Sequence, residues 1–161
     1  MRNVFLLLLT IISFCANAQI KGKIISVRDG DTFDFISKSG ESYRVRLAEV
    51  DCPEYKSHNS LKNQPYGEKA YQYAFYQVYG KEVFLVKKGS KSYGRTVGHI
   101  IYGGKNLSEE LLRMGFAWQD KRYSSNIAYG SLQDSAKRAS RGLWNEKDPI
   151  EPWLWRRGKR K

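Results

Sequence analysis

Arg46-Leu47-Ala48-Glu49-Val50-Asp51-Cys52-Pro53-Glu54 is the stretch from which the rest of the chain can be read. Just upstream, Tyr43, Val45 and Leu47 alternate with Arg44 and Arg46, the period of a strand with one face in a core. Pro53 disfavours helix at Cys52 and removes a ladder donor, so the strand must run into an acidic turn. One rigid strand end thus carries a guanidinium at Arg46, then carboxylates at Asp51 and Glu54. The planar fork of an arginine matches phosphate oxygens. Asp51 can hold a hard cation, and Glu54 can take a proton from water. Such a set suits the cutting of a phosphodiester.

Around this stretch the pattern is that of a small α+β domain. Lys23 to Val27 reads as a first strand, Phe33 to Ser37 as a second and Ser42 to Leu47 as a third. Asp29-Gly30 and Ser39-Gly40 supply the hairpin turns between them. A polar loop then carries Lys56, His58 and Lys62 to Pro65. From Tyr66 to Val78 the period becomes helical, with Ala70, Tyr71, Ala74, Phe75, Val78 and Tyr79 on one stripe and Gly80 as the stop. Lys81 to Lys87 and Thr96 to Tyr102 read as the fourth and fifth strands. Asn106 with Glu109 predicts a capped helix ending at Gly115. The last helix is predicted over Ile127 to Ser140, with Leu132, Ala136 and Ala139 inward and Gly142 as its stop. Five short strands with helices after the third and fifth predict a five-stranded barrel of the OB type with three α-helices, a common nucleic-acid platform.

Composition points the same way. The chain has 161 residues, one domain by length, with a formal net charge of +12 and 14% aromatic residues. So basic a chain expects a polyanion, and aromatic side chains among Lys and Arg favour nucleic acid, because bases stack and lipids do not. Residues 1–18 read as a signal peptide: Arg2 in a short basic start, an apolar run from Val4 to Cys15, and Ala16-Asn17-Ala18 as the cleavage site. The apolar run is too short for a comfortable span. Export to the periplasm or the medium is therefore expected, with a mature chain from Gln19, no stable membrane insertion and Cys52 as its single thiol. Residues 19–145 form the expected domain, and residues 146–161 a basic tail with Trp153, Trp155, Arg156, Arg157, Lys159, Arg160 and Lys161, read as a disordered charged run.

Four motifs in order carry a resemblance. They are Asp29-Gly30-Asp31-Thr32, the run Arg46-Leu47 to Val50-Asp51 with Pro53-Glu54, Tyr66-Gly67 with Ala70, and Tyr93-Gly94-Arg95. From about Lys21 to Trp144 the sequence resembles the staphylococcal nuclease (thermonuclease) family. The resemblance implies an OB-fold, calcium-dependent phosphodiesterase that acts on DNA and RNA and leaves 3′-phosphate ends; a monomer is expected. It makes Asp31, Asp51 and the backbone carbonyl of Cys52 the calcium ligands, and places Glu54 beside the metal's water. Arg46 and Arg95 become the phosphate-binding arginines, with Tyr93 and Tyr123 at nucleotide contacts. Lys121 stands where the type member has a tyrosine, which suggests a phosphate contact. Cys52 replaces the usual threonine, leaving an exposed thiol beside the site, and Lys91-Ser92 replaces Asp-Lys.

Singly, these residues have plainer uses. Asp31 can shape its turn, Asp51 and Glu54 can be solvated, and Arg46 can pair with Glu49 or Glu54 at the surface. Arg95 can sit exposed in a turn, and the tyrosines of the first helix can be packing. Two other functions compete: a catalytically silent OB module that only binds nucleic acid, and an adhesin using the basic tail. Neither needs Asp31, Arg46, Asp51, Glu54 and Arg95 together.

Overall fold

The computed structural model describes residues 19–56 and 63–159. The expected signal peptide, His58 and Lys62, and Arg160 and Lys161 lie outside the described residues. The chain runs through β1 (Gln19–Val27), β2 (Thr32–Ser37), β3 (Ser42–Leu47), β4 (Val50–Asp51), α1 (Gly67–Val78), β5 (Glu82–Ser92), β6 (Arg95–Tyr102) and β7 (Lys105–Asn106). It continues through α2 (Leu107–Met114), β8 (Trp118–Gln119), α3 (Ile127–Arg138), a 3₁₀ turn (Gly142–Asn145) and α4 (Pro152–Arg156).

The main sheet has the order β3-β2-β1-β5-β6-β7, and β3 also pairs parallel with β6, which closes five strands into a barrel. Closure removes the free edges that an open sheet of short strands would leave. Its register sets Arg46 opposite Thr32 on one side and Val97 on the other. The barrel is filled by Phe33, Phe35, Val45, Leu47, Leu85 and Ile100, all nearly or wholly inaccessible to solvent. Leu107, Leu111 and Leu112 of α2 close one end, and Ala70, Ala74 and Val78 of α1 pack against the same core. This is the expected five-stranded OB-type α+β fold, with one helix more than predicted.

Helix ends follow their side chains. Asn106 accepts from the Ser108 amide at 3.0 Å and Asn126 from the Ala128 amide at 3.0 Å, each satisfying an amide that the first turn leaves unpaired. In α1 the small residues of the predicted stripe are buried, while its aromatics stack along the rim: Tyr55 on Tyr71 at 4.6 Å and Phe75 on Tyr79 at 4.4 Å. In α3 the inward face differs from prediction. Ala139 is exposed, whereas Tyr129 and Gln133 are buried with Ala136. The reason is polar: Gln133 Oε1 accepts from the Gln119 amide at 2.9 Å and so anchors β8.

Three departures bear on the site. β4 falls where the sequence predicts an acidic turn and β8 where it predicts no element; the two pair with each other and tie Asp51 to Trp118. Gly30 is not the positive-φ residue of a hairpin turn; it is buried, and a Cβ there would lie 2.8 Å from Cys52 Cβ. It is glycine because two loops touch. The tail, read as disordered, turns back over the domain: Pro152 is buried at the start of α4, and Trp153 meets Trp118 edge-on at 6.1 Å. Pro at a first helical position costs no hydrogen bond, which allows so short a helix to start there.

Candidate active site

The end of β3, the β1–β2 turn and β4 meet under one cleft of about 1000 Å³. Arg46 is the hub, with a side chain only 14% exposed. Its Nη1 donates to the carbonyls of Val50 (2.8 Å) and Leu47 (3.1 Å) and lies 3.1 Å from Asp31 Oδ2; its Nη2 donates to Asp51 Oδ1 at 2.9 Å. Burial alone would depress the pKa of this guanidinium, but Asp31 and Asp51 more than offset that and hold it above its ordinary value. The pairing with Glu49 or Glu54 considered from sequence does not occur. Arg46 joins the two aspartates instead.

Asp31 is buried, and its Oδ2 accepts from the Cys52 amide at 2.6 Å. Burial raises its pKa to about 6 despite Arg46 beside it. Asp51 is also buried, and burial likewise raises its pKa, against the pull of Arg156 and Arg46. Arg46 is the one guanidinium that joins both carboxylates, and for each of them burial outweighs the positive charge nearby. Glu54 sits at the cleft edge; its amide donates to Gln64 Oε1 at 3.1 Å. Gly67 packs on the Glu54 carbonyl so closely that a Cβ would come within 2.2 Å, which fixes the start of α1 against this residue.

Arg95 opens β6 and lines the same cleft, as do Tyr93, 98% exposed, and Tyr123, 77% exposed. Asp31, Arg46, Asp51, Glu54, Arg95, Tyr93 and Tyr123 are therefore brought together. Lys121 is not: it is exposed and outside the cleft wall, because the tight turn closed by the Tyr123 amide on the Asp120 carbonyl (2.9 Å) turns Arg122 inward instead. Cys52 is also corrected. Its side chain is 3% exposed, and burial drives its pKa well above the ordinary thiol value, so it is not the exposed thiol expected from sequence. Lys91 lies in β5, with its side chain outside the described set.

Two arginines were missed. Arg122 bonds Asp120 through Nε (2.8 Å) and Nη2 (2.7 Å), reaches Asp51 at 3.5 Å, and lies over the rings of Trp153 (4.7 Å) and Tyr123 (5.5 Å). Arg156 comes from α4: Nη2 is 2.6 Å from Asp51 Oδ2, and Nη1 is 3.2 Å from Asp51 Oδ1 and 2.5 Å from Glu54 Oε1. Arg122 sits one residue from a predicted contact. Arg156 follows a Pro-Trp-Leu-Trp run whose proline and aromatics are a readable sign of a docked segment.

The donor chemistry fits a hard dication. Six carboxylates line the cleft (Asp29, Asp31, Glu49, Asp51, Glu54, Asp120) against four arginines and Lys88, a formal charge of −1 in a protein of +12. Among the described residues no group of three or more His, Cys, Asp or Glu side chains is placed to hold a metal ion by itself. Two aspartates in an open cleft suit a cation that completes its shell with carbonyls and water.

Comparison with known proteins gives a consistent result. The family model described as staphylococcal nuclease homologue matches residues 44–146. An uncharacterized endonuclease of Haemophilus influenzae is 36% identical over 152 residues, covering 94% of this chain and 82% of that protein. An uncharacterized endonuclease of Escherichia coli is 34% identical over 143 residues, 88% of each chain. The micrococcal nuclease of Shigella flexneri is 30% identical over 169 residues, 98% of this chain and 92% of its own. With the barrel and the cleft as described, the chain belongs to the staphylococcal nuclease family.

Proposed function

We propose that this chain is an exported, calcium-dependent endonuclease that hydrolyses DNA and RNA to products with 3′-phosphate ends, working as a monomer in the periplasm or the medium. The observation that carries this reading is the convergence of Asp31, Arg46, Asp51, Glu54 and Arg95 on one cleft. A silent binding module would have no use for two buried aspartates locked to a buried arginine.

Asp31 and Asp51, with the Cys52 carbonyl, would hold calcium. When bound, it supplies positive charge that steadies both the incoming water and the phosphoryl oxygens. With that charge added, the cleft changes from a formal −1 to +1 and accepts a polyanion. Arg46 and Arg95 place guanidiniums where negative charge gathers on the phosphate in the transition state, in a partly dry cleft where such contacts count most. Glu54 orients the water and takes its proton. The water oxygen bonds to phosphorus as the bond to the 5′ oxygen breaks; the departing 5′ oxygen takes a proton from solvent, leaving a 3′-phosphate and a 5′-hydroxyl. Tyr93 and Tyr123 offer exposed rings on which flanking bases stack, which favours neither sugar over the other.

The test is digestion of plasmid DNA and of RNA by the purified protein, with calcium or with excess EGTA, followed by end-group analysis. Calcium-dependent cutting of both polymers with 3′-phosphate ends is expected. Undiminished cutting in EGTA would remove the metal from the account, and binding without cutting would leave a passive binder.

A further inference from the structure

Arg156 lies ten residues beyond the segment that the family model matches, yet it reaches the centre of the cleft. Its approach is built. Gln64, whose Oε1 holds the Glu54 amide, also donates from Nε2 to the Ile150 carbonyl at 2.5 Å, tying the returning chain to the Glu54 loop. Pro152 is buried, and Trp153 packs on Trp118 and under Arg122. The last turn of α4 then delivers a guanidinium that touches both oxygens of Asp51 and one of Glu54.

The Asp51 oxygens are ones a dication would need, and Glu54 is the group set beside its water. Asp51 Oδ1 already serves Arg46, and its Oδ2 is 3.5 Å from Arg122, so Arg156 takes up what remains of its coordinating capacity. A guanidinium and a dication on the same carboxylate repel each other and compete for the same lone pairs. We propose that Arg156 sets the metal affinity of the cleft: it stands in for the dication on Asp51, holds Glu54 at the same time, and must be displaced for metal to bind. The inference rests on the calcium reading above. Coupling of this kind is reciprocal, so metal on Asp51 loosens α4 as much as α4 weakens metal.

Calcium titration by calorimetry of the purified chain and of Arg156→Ala and Arg156→Gln, without nucleic acid, tests it. Both variants are expected to bind calcium about tenfold more tightly, the factor that follows when a charge-assisted hydrogen-bond pair no longer has to be broken. Hydrogen exchange gives a second readout: the amides of residues 153–157 should exchange faster when calcium is added to the native chain and be indifferent to calcium in Arg156→Gln. Equal affinity in all three proteins, or weaker binding by the variants, overturns the competition while leaving the calcium reading intact. Absence of calcium binding in all three overturns both.

Discussion

Asp31→Asn should make the metal-free protein more stable, although it removes a charged partner from Arg46. Asp31 is 5% exposed, and its pKa rises from the ordinary 3.8 to about 6 because burial outweighs the attraction of Arg46. For an acid with a raised folded-state pKa, the folded chain binds more protons than the unfolded chain between about pH 4 and pH 6. Stability therefore falls as pH rises through that window and stays low above it. Two units at 1.36 kcal/mol each put the cost of the ionised carboxylate at about 3 kcal/mol at neutral pH. Asparagine keeps an oxygen for the Cys52 amide, now 2.6 Å from Asp31 Oδ2, and loses the charge. A gain of about 1 to 3 kcal/mol, roughly 3 to 10 °C in Tm, is expected at pH 7.5 in EDTA. The gain should vanish near pH 4, where the wild-type carboxyl is itself neutral. Calcium reverses the order: at a hundred times its Kd it adds about 2.7 kcal/mol to the wild type and little to the variant. Calorimetric melting of both proteins at the two pH values, with EDTA or calcium, reads all of this. An Asp31→Asn protein that melts below wild type at pH 7.5 in EDTA would refute the view of Asp31 as a carboxylate lacking positive charge.

Other outcomes follow from the same geometry. Arg95→Ala should lower turnover by about a hundredfold or more in protein that is still folded, checked by single-turnover kinetics beside a circular-dichroism spectrum. Tyr93→Ala and Tyr123→Ala should each weaken single-stranded DNA binding by about 1 to 3 kcal/mol without loss of stability, since both rings are exposed; unchanged binding in a fluorescence titration would remove them from the substrate path. The Cys52 thiol should react with a disulfide reagent only after unfolding, so rapid labelling of native protein would show the site to be open.

The barrel was legible because its strands alternate and its turns carry Gly and Asp, signals that depend on neighbours in sequence. β4 and β8 were not, since two residues each hold no period and Val50–Asp51 forms a strand only because Trp118–Gln119 lies beside it. The same limit separates the site residues. Arg46, Asp51 and Glu54 fall at one strand end whose spacing groups them, and Asp31 joins them through the family resemblance. Arg156 reaches Asp51 across 105 residues, and only the docking of Pro152 and Trp153 puts it there. Gly30 shows a residue that was noticed for the wrong reason: the dipeptide suggested a hairpin turn, while the fold uses the missing Cβ to admit Cys52. Lys121 shows the resolution of reading by position, where one residue of turn geometry exchanges a lysine for Arg122.

On the proposed function, the phosphodiester is cut at the buried Arg46–Asp31–Asp51 cluster. Its most direct test is the single-turnover rate of end-labelled single-stranded DNA cleavage in calcium by Arg46→Lys and Arg46→Ala, each confirmed folded by circular dichroism. Losses of about a hundredfold or more are predicted for both, because a lysine keeps the charge but not the fork. A folded Arg46→Ala that cuts at the wild-type rate would contradict the account.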